Sequence, residues 1–182
     1  MSEYRFCPRC GDLLQNQLRG DRQRPVCRGC GSVIYRNPAV GVAVVLLQGQ
    51  KILLGRRARG EYQGHWCIPC GYVEWGEDVR DAARREFLEE TGLLVQIGPV
   101  YAVHSNFHNS QSLTVGIWFR GEMVGGALRA GDDLDQVGYF PLDALPVPLA
   151  FPTDVLVLDQ LKEELLTAKV HQPTHPCSGH LL

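Results

Sequence analysis

Between Gly71 and Leu93 the chain reads Gly71-Tyr72-Val73-Glu74-Trp75-Gly76-Glu77, then seven residues, then Arg85-Glu86-Phe87-Leu88-Glu89-Glu90-Thr91-Gly92-Leu93. Such a stretch predicts a glycine-rich loop feeding a helix with three carboxylates on its last two turns. Glu86, Glu89 and Glu90 stand at i, i+3 and i+4, so they share one face and repel by roughly 0.2–0.5 kcal/mol per pair. Glu89 and Glu90 also precede Gly92, the expected C-cap. There the negative end of the helix dipole costs about 0.3–1 kcal/mol for each. Arg85 can relieve Glu89 as an i, i+4 partner, whereas Glu86 and Glu90 have no such partner along the helix. A run of acids is ordinarily a solvated face. Here the loop, the spacing and the placement against the dipole favour a hard divalent cation, and magnesium suits one or two carboxylates plus substrate phosphates.

The pattern Gly-x5-Glu-x7-Arg-Glu-U-x-Glu-Glu-x-Gly-U, with U a bulky aliphatic, resembles the signature of the Nudix hydrolases. Gly71 to Leu93 matches it at every fixed position, with Phe87 at the first U as the one departure. The resemblance implies an α+β fold, a Nudix α/β/α sandwich with a mixed sheet. It also implies a hydrolase that uses magnesium or manganese to cleave a pyrophosphate bond. By the same resemblance Glu86 and Glu90 are the main metal ligands, Glu89 is shared or water-mediated, and the Gly71 carbonyl is a further ligand. Glu77 and Arg85 become the pair that fixes loop and helix, and Glu74 an assistant to the metals.

The first 36 residues call for a different explanation. Cys7-Pro8-Arg9-Cys10 and Cys27-Arg28-Gly29-Cys30 are two Cys-x2-Cys turns, each followed by glycine and separated by sixteen residues. This is the spacing of a closed tetrahedral zinc site. Tyr4, Phe6, Leu13, Leu14, Leu18, Val26, Val33 and Ile34 are too few to fold the segment by burial, and structural zinc supplies about 10–16 kcal/mol. A small N-terminal zinc ribbon, residues 1–36, is expected ahead of a Nudix domain over 37–170, with 171–182 a flexible tail. Residues 1–36 hold seven arginines and three acids. With a four-thiolate zinc that surplus falls to about +2, and no interleaved aromatic platform is visible in the sequence. Nucleic acid is therefore not an expected partner, and the ribbon is read as a brace or dimer contact within a homodimer.

The net charge of the whole chain is -2, so no global field points to a polyanion or a membrane. No apolar run approaches the length of a membrane span, and the start Met1-Ser2-Glu3-Tyr4-Arg5 carries no signal-peptide core. A cytoplasmic protein with reduced thiols is expected.

Asn37-Pro38 marks the boundary. Ala39 to Leu47 then predicts a strand buried on both faces, turning at Gln48-Gly49-Gln50 into its hairpin partner from Lys51. Arg56 and Arg57, in the basic run that follows, are candidate phosphate contacts by the resemblance, or solvated arginines. Cys67 and Cys70 repeat the Cys-x2-Cys spacing beside the loop, and packing is favoured over a redox pair or second metal site. Strands are expected over Leu94–Val103, Ser112–Phe119 and Gln136–Phe140. Tyr101, Phe107 and Trp118 are candidates to stack on a base or to fill the core. Asp132, Asp133 and Asp135 lie where Nudix enzymes draw an additional acid, or form a solvated turn. Thr153 is expected to cap a closing helix to about Lys169, with Val155, Leu158, Leu161 and Leu165 inward.

A zinc ribbon ahead of a Nudix domain resembles two groups, the NADH diphosphatases and a set of ADP-ribose or FAD pyrophosphatases. The proline-rich array of the former is missing from His104-Ser105-Asn106-Phe107-His108-Asn109-Ser110-Gln111, so a nucleoside diphosphate of the ADP-ribose or FAD type is the expected substrate. Two alternatives stay open: an NADH/NAD diphosphatase or RNA-cap-removing enzyme, and a non-catalytic sensor of an ADP-ribose-like ligand.

Overall fold

The structure, a computed structural model, describes residues 4–109 and 112–170. The expected tail 171–182, with His171, His175, His180 and Cys177, lies outside them. The chain divides into two compact units, Met1–Pro38 and Ala39–Leu182.

In the first unit, β1 (Leu14–Arg19) and β2 (Arg22–Cys27) form an antiparallel hairpin. Two cysteine turns flank it and share one design. Gly11 N–H donates to the Cys7 carbonyl at 2.9 Å and Gly31 N–H to the Cys27 carbonyl at 3.1 Å. The bridges Phe6↔Leu13 and Val26↔Val33 close the two turns.

The second unit is built on β3 (Ala39–Gln48) and β4 (Lys51–Arg57), with short β5 (Trp66–Cys67) and β6 (Cys70–Tyr72), then α1 (Val79–Thr91). After it come β7 (Leu93–Asn106), β8 (Thr114–Gly126), β9 (Leu134–Pro141) and α2 (Pro152–Val170). The strand order is β5-β4-β3-β8-β7, with β6 on β3 and β9 on β4. β3 runs parallel to β8 while the other pairings are antiparallel, so the sheet is mixed. Alternation along β3 explains its continuous apolar run. Val42, Val44 and Leu46 pack with Ala82, Ala83 and Phe87 of α1, and Ala43 and Val45 pack with Val157, Leu158 and Leu161 of α2. One helix covers each face, which is the expected α/β/α sandwich.

Some boundaries move. β7 reaches Asn106 and β8 reaches Gly126 because the pairing Asn106↔Thr114 through Leu93↔Gly126 continues beyond the expected strand ends. In α2 the first helical residue is Pro152, whose fixed φ suits that position. Thr153 therefore lies inside the helix, and its buried hydroxyl has no protein partner rather than acting as a cap. Leu158, Leu161 and Leu165 face inward as expected, whereas Val155 is 38% exposed and the fully buried Val157 takes its place. Among the described residues no helix is long and apolar enough to cross a membrane.

Candidate active site

The α1 helix presents its carboxylates through well-formed ends. Asp78 caps the N-terminus, accepting from Arg80 N–H at 2.8 Å. Gly92 at φ 70 closes the C-terminus, a left-handed conformation that favours glycine. The last carbonyls of the helix are met by backbone: Arg129 N–H donates to Thr91 at 2.9 Å and Gly131 N–H to Glu90 at 3.1 Å. These bonds draw off part of the negative dipole end and pin residues 127–133 beside the acidic face.

Arg85 organises that face. Its Nε and one terminal nitrogen grip Glu77, both at 2.9 Å, and the other terminal nitrogen reaches Glu86 at 2.8 Å and Glu89 at 3.2 Å. It also donates to the Tyr72 carbonyl at 3.1 Å, tying helix to loop. The Arg85 guanidinium, with the Glu74 N–H, holds the Glu77 carboxyl down at about 2. Glu86 thus has a relief that spacing along the helix did not show. Glu90 differs again: it is 1% exposed and its Oε2 accepts from Cys70 N–H at 2.7 Å. Burial pushes the Glu90 carboxyl well above the usual range, with Glu86 adding to the rise. Burial likewise raises Glu86, against the pull of Arg85. Gly71 is fitted to this pair, because a Cβ there would lie 2.0 Å from the Glu86 carboxyl carbon. Two partly or wholly buried carboxylates, each pushed above its usual range chiefly by burial, beside a backbone with no side chain, suit a divalent cation.

A cavity of about 450 Å³ opens onto these carboxylates. Gly71, Glu86 and Glu90 line one part, and Tyr62, His108, Phe151 and Trp118 line another. Tyr62, His108 and Phe151 pack as a trio with ring centroids 5.2–6.0 Å apart. Arg57 Nε, Asn106 Oδ1 and Thr153 Oγ1 are buried in this lining without a protein partner. Asp154, 1% exposed, accepts from Ile68 N–H at 3.0 Å and from Trp118 Nε1 at 3.2 Å, and burial pushes its carboxyl up to about 7.

Residues 36–161 match the NUDIX domain model. The chain belongs to the NUDIX family. Among its Nudix relatives is an ADP-ribose pyrophosphatase of Methanocaldococcus jannaschii, 35% identical over 130 residues, covering 71% of this chain and 76% of that protein. Another is the NAD-capped RNA hydrolase NudC of Stutzerimonas stutzeri, 28% identical over 174 residues, with 95% of this chain covered but only 60% of the relative. A Nudix hydrolase of Nitrosomonas europaea has a solved structure that superposes with a TM-score of 0.78 at 31% identity, over 93% of this chain and 95% of that one.

Within the Nudix unit the structure sorts the residues singled out by sequence. Glu86, Glu90, Gly71, Glu74, Arg57, Asp132 and Asp133 line the cavity. Asp132 does so from a left-handed backbone, φ 47. Glu77, Arg85 and Glu89 are not in the lining, and Glu89 is exposed and paired with Arg85. Arg56 and Asp135 bond to each other at 2.8 and 3.1 Å, away from the lining. Phe107 is 73% exposed and outside it too. Cys67 is fully buried, while Cys70 faces the cavity, its thiol pushed up by Cys67 and by burial. Tyr62, Asn106, His108, Phe151 and Asp154 were missed, because three separate segments supply them and no spacing connects them.

In the N-terminal unit, Sγ atoms of Cys7, Cys10, Cys27 and Cys30 all lie within 4.8 Å of one another. Cys7 and Cys30 are 3.8 Å apart and Cys10 and Cys27 are 3.3 Å apart. Tetrahedral zinc with its usual sulfur distances separates ligands by about 3.8 Å, so these four residues fit that ion. Arg9 N–H and Cys30 N–H each point at a cysteine sulfur at 3.4 Å, the kind of support a thiolate ligand takes.

Proposed function

We propose that this Nudix pyrophosphohydrolase cleaves the pyrophosphate bond of a nucleoside diphosphate joined to a second moiety, of the ADP-ribose or FAD type, with magnesium or manganese. One observation carries the reading: a single cavity is lined by Glu86, Glu90 and Gly71 at one part and by the Tyr62–His108–Phe151 trio at another. Carboxylates suit the cationic partner of an anhydride, and an aromatic trio beside the unpartnered Asn106 Oδ1 and Thr153 Oγ1 suits a nucleoside.

Glu86, Glu90 and the Gly71 carbonyl are the groups that would hold the divalent ion, with Glu89 shared or acting through water. When bound, that ion neutralises phosphate charge and makes water a better nucleophile at neutral pH. The chain's own residues supply position. Arg85 fixes Glu77 and Glu86 in one plane of contacts, and Glu77 accepts from Glu74 N–H at 3.0 Å, holding the loop. Arg57, half-buried with its guanidinium 5.5 Å from the Phe151 ring, brings fixed positive charge to where the diphosphate passes. The aromatic trio excludes water from the nucleoside side. Water adds across one P–O bond of the anhydride, and two phosphomonoesters leave.

A second reading, the removal of a nucleotide cap from RNA, is favoured by the NudC relative, whose likeness runs over 95% of this chain. A magnesium-supplemented screen of ADP-ribose, FAD, NADH, dinucleoside polyphosphates, nucleoside triphosphates and NAD-capped RNA, with product identification, separates the two. Fastest turnover of ADP-ribose or FAD supports the main reading. Turnover of capped RNA alone replaces it.

A further inference from the structure

Charge is unevenly shared along this chain. Residues 1–38 hold seven arginines, no lysine and three acids, a surplus of four, whereas the whole chain is at -2; the rest therefore stands at -6. The hairpin shows where that surplus goes. In the register Arg19↔Arg22, Gln17↔Arg24 and Gln15↔Val26, directly opposed residues share a face. Arg19, Arg22 and Arg24 thus stand on one face with Gln15 and Gln17, while Leu18 and Pro25 take the other. The bridge Val26↔Val33 continues along β2 and brings Tyr35 across from Arg24, whose guanidinium lies 4.8 Å from the Tyr35 ring centroid. Arg28 joins the same face through Gln15, at 3.0 Å, and Arg19 is steadied by Gln17 at 3.1 Å. Glutamines hold these two arginines without neutralising them. Asp21 comes only to 3.9 Å of Arg22, with both side chains largely in solvent. Tyr35 is 60% exposed, so one side of its ring can take another flat group.

We propose that this face of the N-terminal unit binds single-stranded RNA, with Arg19, Arg22, Arg24 and Arg28 along the phosphates and a base stacked on Tyr35. Sequence alone showed the surplus but no aromatic among the arginines. Cross-strand pairing puts one there. Arginines are spaced along a strand pair as phosphates are along a nucleic-acid backbone, and an exposed ring carrying a guanidinium is a stacking platform that tolerates any base. An acidic protein surface would use the charges and leave the ring idle. Compensation by a four-thiolate zinc leaves the unit still positive, by about two, and its negative charge sits at the cysteine turns.

The test uses the full zinc-loaded chain and a labelled unstructured RNA oligonucleotide, with affinity followed by fluorescence anisotropy as salt rises. Four phosphate contacts on a single strand predict roughly a 50-fold loss of affinity from about 50 to about 200 mM salt. The combined variant Arg19→Gln, Arg22→Gln, Arg24→Gln should lower the slope of log affinity against log salt by about two. Tyr35→Leu should weaken RNA binding roughly tenfold and Tyr35→Phe restore it, with heparin affinity unchanged by either. Zinc content confirms that each variant is folded, and Arg19→Gln with Arg22→Gln, at the turn end of the hairpin and away from the cysteine turns, serves if the triple variant is not. None of these substitutions should alter turnover of a small nucleotide substrate. Absence of RNA binding at low salt, or a slope untouched by the arginine variants, overturns the proposal. Equal binding of heparin and RNA with no effect of Tyr35→Leu also overturns it, in favour of a general polyanion surface.

Discussion

Glu90 and Gly71 make opposite demands on the same few ångströms. One is a carboxylate buried to 1% exposure, the other a backbone that leaves no room for a methyl group next to Glu86. Glu90→Gln keeps the bond from Cys70 N–H and removes the charge. Turnover should then fall by at least roughly 10²-fold with the melting temperature of the metal-free protein unchanged or raised. Full activity in that variant would rule Glu90 out as a ligand. Asp154 gives a pH signature. Its folded value of about 7 lies above its ordinary value of 3.8. The folded state therefore keeps the proton that the unfolded chain loses, and stability in the presence of a chelator falls as pH rises from about 4 to about 7, then levels. Asp154→Asn should reduce that slope, read as denaturant midpoints across the same range; an unchanged slope would mean the carboxyl titrates normally. The carboxylates proposed as ligands could be read in sequence because they lie within five residues of one helix. Asp154, Phe151 and Tyr62 could not, since only the tertiary fold brings the start of α2 and the β4–β5 connection to one cavity.

At the scale of elements, α1 and the loop before it behave as one part, held by the Arg85 fork to Glu77 and by its bond to the Tyr72 carbonyl. Lysine cannot span those contacts. Arg85→Lys should raise the magnesium concentration needed for half-maximal activity by about 10- to 100-fold, a range usual for residues that orient ligands; an unchanged metal requirement would reduce Arg85 to a surface ion pair. The C-terminal end of α1 was legible from Gly92, and β3 from its unbroken apolar run. The length of β7 and β8 was not, because Gly125 and Gly126 look like a loop until Leu93 and Leu94 are seen to pair with them. The start of α2 was misplaced for a related reason: threonine before a helical pattern reads as a cap, while the proline one residue earlier already satisfies the first helical position.

For the whole molecule, we propose two metals with separate tasks, one in each unit. Removal of zinc by a thiol-selective chelator should expose residues 1–38 to protease while residues 39–170 stay resistant, since the latter have cores on both sheet faces and the former has four sulfurs in place of one. Simultaneous digestion of both units would contradict this division. The central claim concerns the other metal and the bond it helps to break. Its most direct measurement is product analysis after incubation of ADP-ribose with magnesium and either the natural chain or Glu90→Gln. AMP and ribose 5-phosphate from the natural chain, and essentially none from the variant, is the predicted result; ADP as the product, or equal turnover by the two proteins, would contradict it.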